Sequence, residues 1–299
     1  MSAFSDVTDL HKFIERVIEE AHGKGKGRLQ IIVCVITKSD PLFNYLKWIC
    51  ETQLGIITQC CLSTTANKGS HPDFVNLALK INAKLGGSNV ELIEWLPPRF
   101  KGGDHIMFVG ADVNHPGPGN RTCPSIAAVV ATVNWPAANR YAARICPQDN
   151  RKEKILNFGS MCLDLLRSYA ELNKVKPQKI VVFRDGVSEG QFDMVLNEEL
   201  LDLKKAIYEK NYRPTITLVV AQKRHQTRLF LKSQGDGGSS SNVPPGTVVD
   251  TTIVHPFQGR IYQEVLMELQ STRLVPPSAS FDETFYKLHP EVENTMFFI

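Results

Sequence analysis

The sequence lacks the features that identify several large classes of protein. Its formal net charge is only +3 over 299 residues, so no overall electrostatic field points to nucleic acid, and any basic surface must be local. No stretch contains 18 continuous apolar residues, and the first residues scatter charges through what would be the apolar core of a signal peptide. We therefore expect a protein that is neither exported by an ordinary signal nor embedded in a membrane.

Cysteine is present, but its pattern indicates neither a metal finger nor a disulfide framework. The seven cysteines include the adjacent pair Cys60 and Cys61, lack metal-finger spacing and are odd in number. A reducing compartment fits this usage best. The hydrophobic content of 42% is ordinary for a packed soluble protein. The chain should therefore fold, and its length allows two domains.

Strands and helices alternate in the first third of the chain. Residues 5–21 place apolar side chains on one helical face. The run at 29–37 is continuous and β-branched, which is typical of a strand covered on both faces in a parallel sheet. A helix over 41–53, a strand over 55–62 and a helix over 71–87 follow. This order predicts a doubly wound α/β domain.

A stretch rich in Pro and Gly at 96–104 predicts a domain boundary. The elements predicted after it are strands at 106–112, 125–133 and 140–145, a helix at 152–173, a strand at 179–186, a helix at 189–210 and a strand at 215–223. Three consecutive strands predict an antiparallel meander. Strand, helix and strand units after a meander predict an α/β domain with a mixed sheet.

Two of these strands end in a carboxylate. Asp112 closes the strand in MFVGADVNHP, and Asp185 closes the strand in KIVVFRDG. An aspartate at a strand end can simply cap the following turn. If the two strands are neighbours, the carboxylates instead converge at the carboxyl edge of the sheet, where open α/β sheets bind ligands and where hard oxygen atoms could hold Mg²⁺. The residues alone leave both interpretations open.

Five motifs, in this order, resemble the Piwi domain of eukaryotic Argonaute proteins: GADVNHP, PSIAAVVATV, VVFRDGVSEGQF, QKRHQTRLF and PPGTVVDTTIVHPF. The earlier stretches LGIITQCC and LALKINAKLGG resemble the Mid domain of that family, and the tail SFDETFYKLHPEVENTMFFI is similar to the C-terminus of a plant Argonaute clade. The resemblance implies a doubly wound, Rossmann-like Mid domain over 1–102 and an incomplete ribonuclease H-like Piwi domain with a mixed sheet over 103–299.

The same resemblance implies a catalytic site. Asp112 and Asp185 match the family's metal-holding aspartates, for Mg²⁺ or Mn²⁺, and Glu153 in NRKEKI matches the glutamate that completes the site. In such a site two ions roughly 3.5–4 Å apart activate a water and stabilise the leaving oxygen of a phosphodiester. Without the resemblance, Glu153 would be interpreted as a solvated acid in the first turn of the predicted helix, favoured there by the helix dipole.

One segment of the family pattern is missing. VHPF at 254–257 runs directly into QGRIYQEVLMELQ at 258–270, which resembles the family's last helix. The segment expected between Phe257 and Gln258 carries the fourth metal ligand, and sheet elements that support the two aspartates are expected to be lost with it. An altered splice product or a faulty gene model would produce such a join, and the departure argues against cleavage.

The resemblance further implies a pocket for the 5′ phosphate of a guide RNA. Its residues are Phe43, Lys47, Gln59, Lys80 and Lys84. Lys80 and Lys84 share one helix face, and by themselves would be interpreted as a solvated pair. Ammonium and amide donors suit a terminal phosphate. Phe43 stands where the family has a tyrosine, so it keeps the face on which a base stacks but loses the hydroxyl.

A basic cluster near residue 225 is assigned to the guide backbone. By composition it could be an ordinary exposed face. In the family, the positions of Lys223, Arg228 and His255 contact guide phosphates, and such contacts position RNA without reading its sequence.

The predicted function is therefore small-RNA binding in RNA-mediated gene silencing, as in an Argonaute that cleaves guide-paired target RNA. Two alternatives stay open: a guide-binding fragment that does not cleave, and a non-functional splice product. The partners implied are a small guide RNA, a complementary target RNA and silencing proteins with Gly-Trp motifs, with no membrane. The expected location is the cytoplasm, with the nucleus as a second compartment.

Overall fold

The structure is a computed structural model that describes residues 7–25, 28–38, 42–89, 103–221, 230 and 283–299. Most of the predicted boundary at 96–104 lies outside these residues, so the boundary stays a prediction. The described residues contain two sheets, one of two strands and one of five.

The first sheet is parallel, as predicted. The elements of this part are α1 (Val7–Lys24), β1 (Ile31–Ile36), α2 (Phe43–Trp48), a π-helical segment (Ile49–Leu54), β2 (Ile57–Leu62), α3 (Ser63–Lys68) and α4 (His71–Lys84). Strands β1 and β2 pair in register, with Cys34 opposite Cys60. Helix α4 begins behind a capping box formed by Ser70 and Asp73, which satisfies backbone donors at the helix start.

The expectation that β1 is covered on both faces is wrong within the described residues. Ile32 and Cys34 pack against the core formed by α1, α2 and the π-helical segment. Val33 and Val35 point to the other face and are 50% and 57% exposed. Alternate residues of a strand face opposite sides of the sheet, so β1 itself buries only the side that carries Ile32 and Cys34.

The second sheet is mixed and has the predicted meander followed by parallel strands. Its elements are β3 (Ile106–Asn114), β4 (Ser125–Thr132), β5 (Tyr141–Gln148), α5 (Phe158–Asn173), β6 (Lys179–Asp185), α6 (Phe192–Met194), α7 (Leu200–Ile207) and β7 (Thr215–Ala221). The strand order is β5-β4-β3-β6-β7. Strand β4 is antiparallel to β3 and β5, whereas β6 is parallel to β3 and β7. Strand β6 ends at Asp185 as predicted, whereas β3 continues two residues past Asp112 to Asn114. The two strands that carry the aspartates are central neighbours.

One expectation for this part of the chain needs correction. The helix predicted to begin at 152 begins at Phe158, so Glu153 lies in the loop before it. Among the described residues β3 is flanked by β4 and β6, and β6 is flanked by β3 and β7; the expected loss of further supporting elements with the missing segment stays a prediction. Leu165 and Tyr169 of α5 and Leu203 of α7 pack on the sheet in one buried core, which holds both strands from one face.

The C-terminal segment packs against both parts of the chain. It contains α8 (Glu283–Tyr286) and α9 (Pro290–Glu293). The indole nitrogen of Trp48 donates to the carbonyl oxygen of Phe285 at 2.8 Å, and the backbone nitrogen of His289 donates to the carbonyl oxygen of Glu51 at 2.9 Å. At Gly55, which has a φ of +66°, any Cβ would collide with the His289 ring. Glycine there permits both the left-handed backbone and the close approach.

Candidate functional site

The two aspartates that were predicted at strand ends are adjacent. Ala111 of β3 pairs with Arg184 of β6 in parallel register, and Asp112 and Asp185 each follow by one residue. The hypothesis of a metal site needed this adjacency, and the structure provides it. The metal role of both residues stays a prediction.

Local backbone contacts support the turn-cap interpretation for Asp185, which ends β6, but not for Asp112, because β3 continues to Asn114. Oδ1 of Asp112 accepts a hydrogen bond from the Val113 nitrogen at 2.8 Å, and Oδ1 of Asp185 accepts one from the Gly186 nitrogen at 2.8 Å. Each contact uses one carboxylate oxygen, and a carboxylate has two oxygens that can each accept more than one bond. Capping the turn and binding a cation are therefore compatible.

Glu153 reaches the same edge of the sheet from the loop before α5. A Cβ built on Gly186 would stand 2.9 Å from Oδ1 of Asp112 and 3.4 Å from Oε1 of Glu153, so both carboxylates border this glycine. The side chain of Glu153 is only 19% exposed and is held by His115, whose Nε2 lies 2.8 Å from Oε2. The interpretation of Glu153 as a solvated first-turn acid is therefore wrong.

The buried side chain of Arg184 holds Glu153 in place. Nη2 of Arg184 donates to the carbonyl oxygen of Glu153 at 2.7 Å and lies 3.5 Å from Oε1 of the same residue. Nε of Arg184 donates to Oε2 of Glu199 at 2.9 Å, and Oε1 of Glu199 accepts from the Ile155 nitrogen at 2.8 Å. Arg184 and Glu199 are almost fully buried. Burying such charges is favourable only when they are paired and hydrogen-bonded, and this pair meets that condition.

Sequence reasoning missed His115, Arg184 and Glu199. His115 and Arg184 lie inside the quoted motifs GADVNHP and VVFRDGVSEGQF, so their proximity to the aspartates was a usable signal. Glu199 carried none, because an acid in a helical segment is usually solvated.

The carboxylates at this edge of the sheet are suitable ligands for a hard cation, but they do not converge on one point. Carboxylate oxygens are the protein ligands that Mg²⁺ prefers, and Asp112, Asp185 and Glu153 supply them. Within the described part of the chain, no three Asp, Glu, His or Cys side chains converge closely enough to hold an ion. Glu153 is instead engaged by His115 and Arg184.

The residues assigned to the guide 5′ phosphate form a second cluster around β2. Nζ of Lys47 lies 2.5 Å from Oε1 of Glu51 and donates to Oγ1 of Thr58 at 3.0 Å. Nζ of Lys84 donates to the carbonyl oxygen of Thr58 at 2.8 Å. Two ammonium groups therefore meet at one buried threonine. Glu51 and Thr58 were not among the predicted residues.

The surroundings of Lys84 disfavour its charged form. Its side chain is 5% exposed, and burial, followed by the charge of Lys47, lowers its pKa from 10.5 to about 8. Lys80, one helical turn earlier, is exposed. The structure thus separates two lysines that the sequence pattern presents as a matched pair.

The remaining pocket residues differ in burial. Gln59 is buried and its Nε2 donates to the carbonyl oxygen of Cys60 at 2.8 Å. Its Oε1 is a buried atom without a hydrogen-bond partner among the described residues. Phe43 is half-buried at the start of α2, one turn before Lys47.

Several predicted residues lie outside the described part of the chain. They are Lys223, Arg228 and His255, together with the join between Phe257 and Gln258. In the part that is described, no helix is long and apolar enough to cross a membrane.

Comparison with known proteins agrees with these features. The family model described as Piwi domain matches residues 31–277. Argonaute 2 of Oryza sativa subsp. japonica is 51% identical over 259 residues, covering 86% of this chain and 25% of the relative. Argonaute 7 of Arabidopsis thaliana is 45% identical over 254 residues, covering 83% and 25%. The chain therefore spans 25% of the length of each of these curated relatives.

Solved structures show the same fold. The crystal structure of Kluyveromyces polysporus Argonaute with a guide RNA is similar to this chain with a TM-score of 0.66 and 26% identity, covering 83% of this chain and 33% of that one. The MID and PIWI domains of N. crassa QDE-2 give a TM-score of 0.59 and 27% identity, covering 74% and 61%. The predicted α/β class with a ribonuclease H-like mixed sheet is confirmed. The chain belongs to the Argonaute family through its Piwi domain.

Proposed function

We propose that the chain binds the 5′-phosphorylated end of a small guide RNA in RNA-mediated gene silencing. The observation that carries the proposal is the convergence of the Lys47 and Lys84 ammonium groups on Thr58. Two cations beside a buried amide, Gln59, suit a terminal phosphate, because charge-assisted hydrogen bonds to phosphate are stronger than neutral ones. Family membership and a similar Argonaute structure with a guide RNA support it.

The phosphate would compete with Glu51 for Lys47. A terminal phosphate carries up to two negative charges and three acceptor oxygens, whereas Glu51 offers one charge. Phosphate binding would also favour the protonated form of Lys84. Lys80 lies one turn earlier on α4 and is exposed. Its ammonium group can therefore reach the phosphate without the desolvation cost of a buried charge.

Phe43 is proposed to stack on the first base of the guide. Its ring supplies a face for stacking, a contact worth about 1–3 kcal/mol per base. It supplies no hydroxyl for the phosphate. We therefore expect a pocket that keeps base stacking but grips the phosphate less firmly than a tyrosine pocket would.

A metal-dependent role is the second part of the proposal. Asp112 and Asp185 would hold Mg²⁺ or Mn²⁺, with Glu153 as a third carboxylate. A bound ion would polarise a phosphoryl oxygen and lower the pKa of a bound water. The chain's own contribution is to hold Glu153 beside Gly186 through His115 and Arg184. Because no closed set of three ligands exists among the described residues, we favour guide binding without cleavage.

The wider context belongs to the same proposal. It comprises a Mid domain over 1–102 and a Piwi domain over 103–299. Contacts to the guide backbone are assigned to Lys223, Arg228 and His255. The proposed partners are a complementary target RNA and Gly-Trp silencing proteins, and the proposed location is the cytoplasm, with the nucleus as a second compartment. The similar MID and PIWI structure supports the presence of the first two domains, and their bounds rest on the sequence pattern.

The test compares two RNAs that differ only at the 5′ end. The purified full chain is titrated with a labelled guide bearing a 5′ phosphate and with the same RNA bearing a 5′ hydroxyl. We expect the phosphate to improve affinity by roughly 10- to 100-fold, since charge-assisted bonds contribute about 1.5–3 kcal/mol. Equal affinities for the two RNAs would show that the pocket is wrongly assigned.

Variants sharpen this test. Combined Lys80→Ala and Lys84→Ala substitutions should remove most of the phosphate preference. Lys68→Ala, which removes an exposed lysine at the end of α3, is the matched control and should leave it intact. Phe43→Tyr should tighten binding of the phosphorylated RNA by about 1 kcal/mol, the contribution of one added hydrogen bond.

A further inference from the structure

Two cysteines stand side by side in the first sheet. Cys34 of β1 pairs directly with Cys60 of β2 in parallel register, and both thiols are free. Residues paired in this way lie on the same face of a sheet, and neighbouring strands run about 4.7–4.9 Å apart. This spacing falls within the roughly 4.4–6.8 Å that separates the Cα atoms of disulfide-bonded cysteines. The backbone therefore holds the two residues at a separation that a disulfide can span.

The side chains of this pair also contact each other. Both pack against the core formed by α1, α2 and the π-helical segment, and a side-chain hydrogen bond joins the Cys34 and Cys60 thiols. Both residues are half-buried, so part of each is accessible to small solutes. Cys50, in contrast, is fully buried in the same core, and burial raises the pKa of its thiol to about 12. The reactive thiols of this region are therefore those of Cys34 and Cys60.

The surroundings make the two thiols unequal. The hydrogen bond from Cys34 is the largest cause that lowers the pKa of the Cys60 thiol. The positive charges of Lys47 and Lys84 lower it further, whereas burial and Glu51 act in the opposite direction. The same hydrogen bond raises the pKa of the Cys34 thiol, and burial and the charge of Cys60 add to this effect. The arrangement favours a Cys60 thiolate that accepts a hydrogen bond from the Cys34 thiol, and the thiolate is the nucleophilic form of cysteine.

We propose that Cys34 and Cys60 are a redox modification site, at which a hydroperoxide forms a reversible disulfide between β1 and β2. In the first step the Cys60 sulfur attacks the terminal oxygen of the hydroperoxide. The O–O bond breaks, a sulfenic acid forms on Cys60, and hydroxide or an alkoxide leaves. In the second step the Cys34 sulfur attacks the Cys60 sulfur. The S–O bond breaks as the S–S bond forms, and the hydroxyl group leaves as water with the Cys34 proton. Both sulfurs are oxidised, and the hydroperoxide is reduced to water or an alcohol.

The first step prepares the second. The charge of the Cys60 thiolate opposes ionisation of Cys34, and this charge disappears when the sulfenic acid forms. Cys34 therefore becomes a better nucleophile at the point where it must attack. Because the two strands are already paired through their backbones, closing the S–S bond requires little movement of the chain. In a reducing compartment such a disulfide is transient and reports oxidising conditions.

Peroxide treatment of the full chain tests the proposal. The reduced chain, freed of reductant, is exposed to hydrogen peroxide, its remaining thiols are blocked with N-ethylmaleimide, and its tryptic peptides are identified by mass spectrometry. We expect a linked pair of peptides that joins Cys34 to Cys60 and that disappears when dithiothreitol is added before the blocking step. Trypsin separates Cys34 from Cys60, but the peptide with Cys60 also carries Cys50 and Cys61. Fragmentation of the linked pair therefore assigns the partner.

Variants separate this pair from its neighbours. Cys61→Ser is the matched control, because Cys61 is the next residue of β2 and pairs with exposed Val35; it should form the disulfide as wild type does. Cys34→Ser should leave a sulfenic acid on Cys60 that dimedone labels at least about tenfold more than in wild type, where Cys34 consumes it. The proposal is overturned if the folded wild type forms no link, if the link joins Cys34 to Cys50 or Cys61, or if it forms equally fast in the chain unfolded by urea.

Discussion

Nε2 of His115 lies 2.8 Å from Oε2 of Glu153, and this contact ties the loop after β3 to the loop before α5. Nδ1 of the same histidine lies 2.8 Å from Oγ of Ser125 on β4. Arg184 holds the backbone of Glu153 from the other side. The glutamate is therefore fixed beside Gly186 from two sides, by His115 of the loop after β3 and by Arg184 of β6, although it lies outside any helix or strand.

Removing the histidine should release the glutamate. His115→Ala deletes two side-chain contacts, and we expect the free energy of unfolding to fall by about 1–2 kcal/mol, since one hydrogen bond contributes about 0.5–1.5 kcal/mol. Urea unfolding measures the change. His22→Ala, at an exposed position near the end of α1, is the control. An unchanged midpoint in His115→Ala would mean that Glu153 is held without this residue.

Breaking the buried ion pair should cost more. Glu199→Ala leaves the Arg184 guanidinium buried without its carboxylate, and loss of one partner of a buried pair typically costs about 3–5 kcal/mol. The double variant Arg184→Met and Glu199→Leu should recover much of this loss, because it buries no unpaired charge.

The control for the buried pair is a surface pair of similar geometry. Lys154 and Glu198 lie 2.5 Å apart on the surface, and exposed pairs contribute about 0–1 kcal/mol. Glu198→Ala should therefore change the unfolding midpoint little. Equal losses for Glu198→Ala and Glu199→Ala in urea unfolding would contradict the assigned role of burial.

The strands were predictable because each carries a strong local signal. The runs that become β3 and β6 are apolar and rich in β-branched residues; β6 ends at Asp185 as predicted, whereas β3 continues past Asp112 to Asn114. What the local pattern could not supply is the register that places Asp112 next to Asp185, because these residues are far apart in the chain. Only the family resemblance predicted that they act together.

Buried charges were beyond local reasoning for the same reason. Arg184 pairs with Glu199, 15 residues later, and with the backbone of Glu153, 31 residues earlier. In α4 the burial is the opposite of what residue type predicts, since Phe74 and Leu79 are exposed whereas Lys84 is buried. Helical periodicity identifies a face, but which face is covered depends on neighbouring elements.

The pH dependence of stability should report the burial of Lys84. Its folded-state pKa is about 8 against an ordinary value of 10.5. Below pH 8 it is protonated in both states, and the folded protein carries the full cost of the buried charge. Between about pH 8 and 10.5 the unfolded chain keeps the proton that the folded protein loses, so stability rises with pH.

Comparison of variants isolates this effect. Between pH 8 and 10.5 the free energy of unfolding of wild type should rise by on the order of 1–3 kcal/mol relative to that of Lys84→Met. Urea unfolding across that pH range measures the difference. Other titrating groups, such as the Cys50 thiol, whose pKa burial raises to about 12, are present in both proteins and cancel. The plot of unfolding free energy against pH for Lys80→Met, at an exposed position, should be parallel to that of wild type. If the plots for Lys84→Met and wild type were also parallel, the pKa of Lys84 would not be lowered in the folded protein.

A methyl group at Gly186 should disturb the edge of the sheet where the carboxylates meet. The residue has a φ of +84°, and a Cβ would stand 2.9 Å from Oδ1 of Asp112. Left-handed backbone strain costs of order 1–3 kcal/mol for a non-glycine residue, and Asp112 would also have to shift. We expect Gly186→Ala to lower the unfolding midpoint and to weaken Mn²⁺ binding, followed by electron paramagnetic resonance. Gly190→Ala, where a Cβ meets nothing within 4 Å, should change neither.

Finally, we expect that the chain does not cleave target RNA at a useful rate. Two divalent ions held close together repel each other, so double occupancy needs enough fixed negative charge and oxygen ligands around them. The fourth family ligand is expected in the segment missing between Phe257 and Gln258, so one of the two ions would be held weakly. Losing one group that stabilises charge in the transition state typically costs roughly 100- to 1,000-fold in rate. The full chain, loaded with a 5′-phosphorylated guide and a complementary target in millimolar Mg²⁺ or Mn²⁺, should give no product. A single cut opposite the middle of the guide that disappears in Asp185→Ala would prove this expectation wrong and show that Asp112, Glu153 and Asp185 suffice.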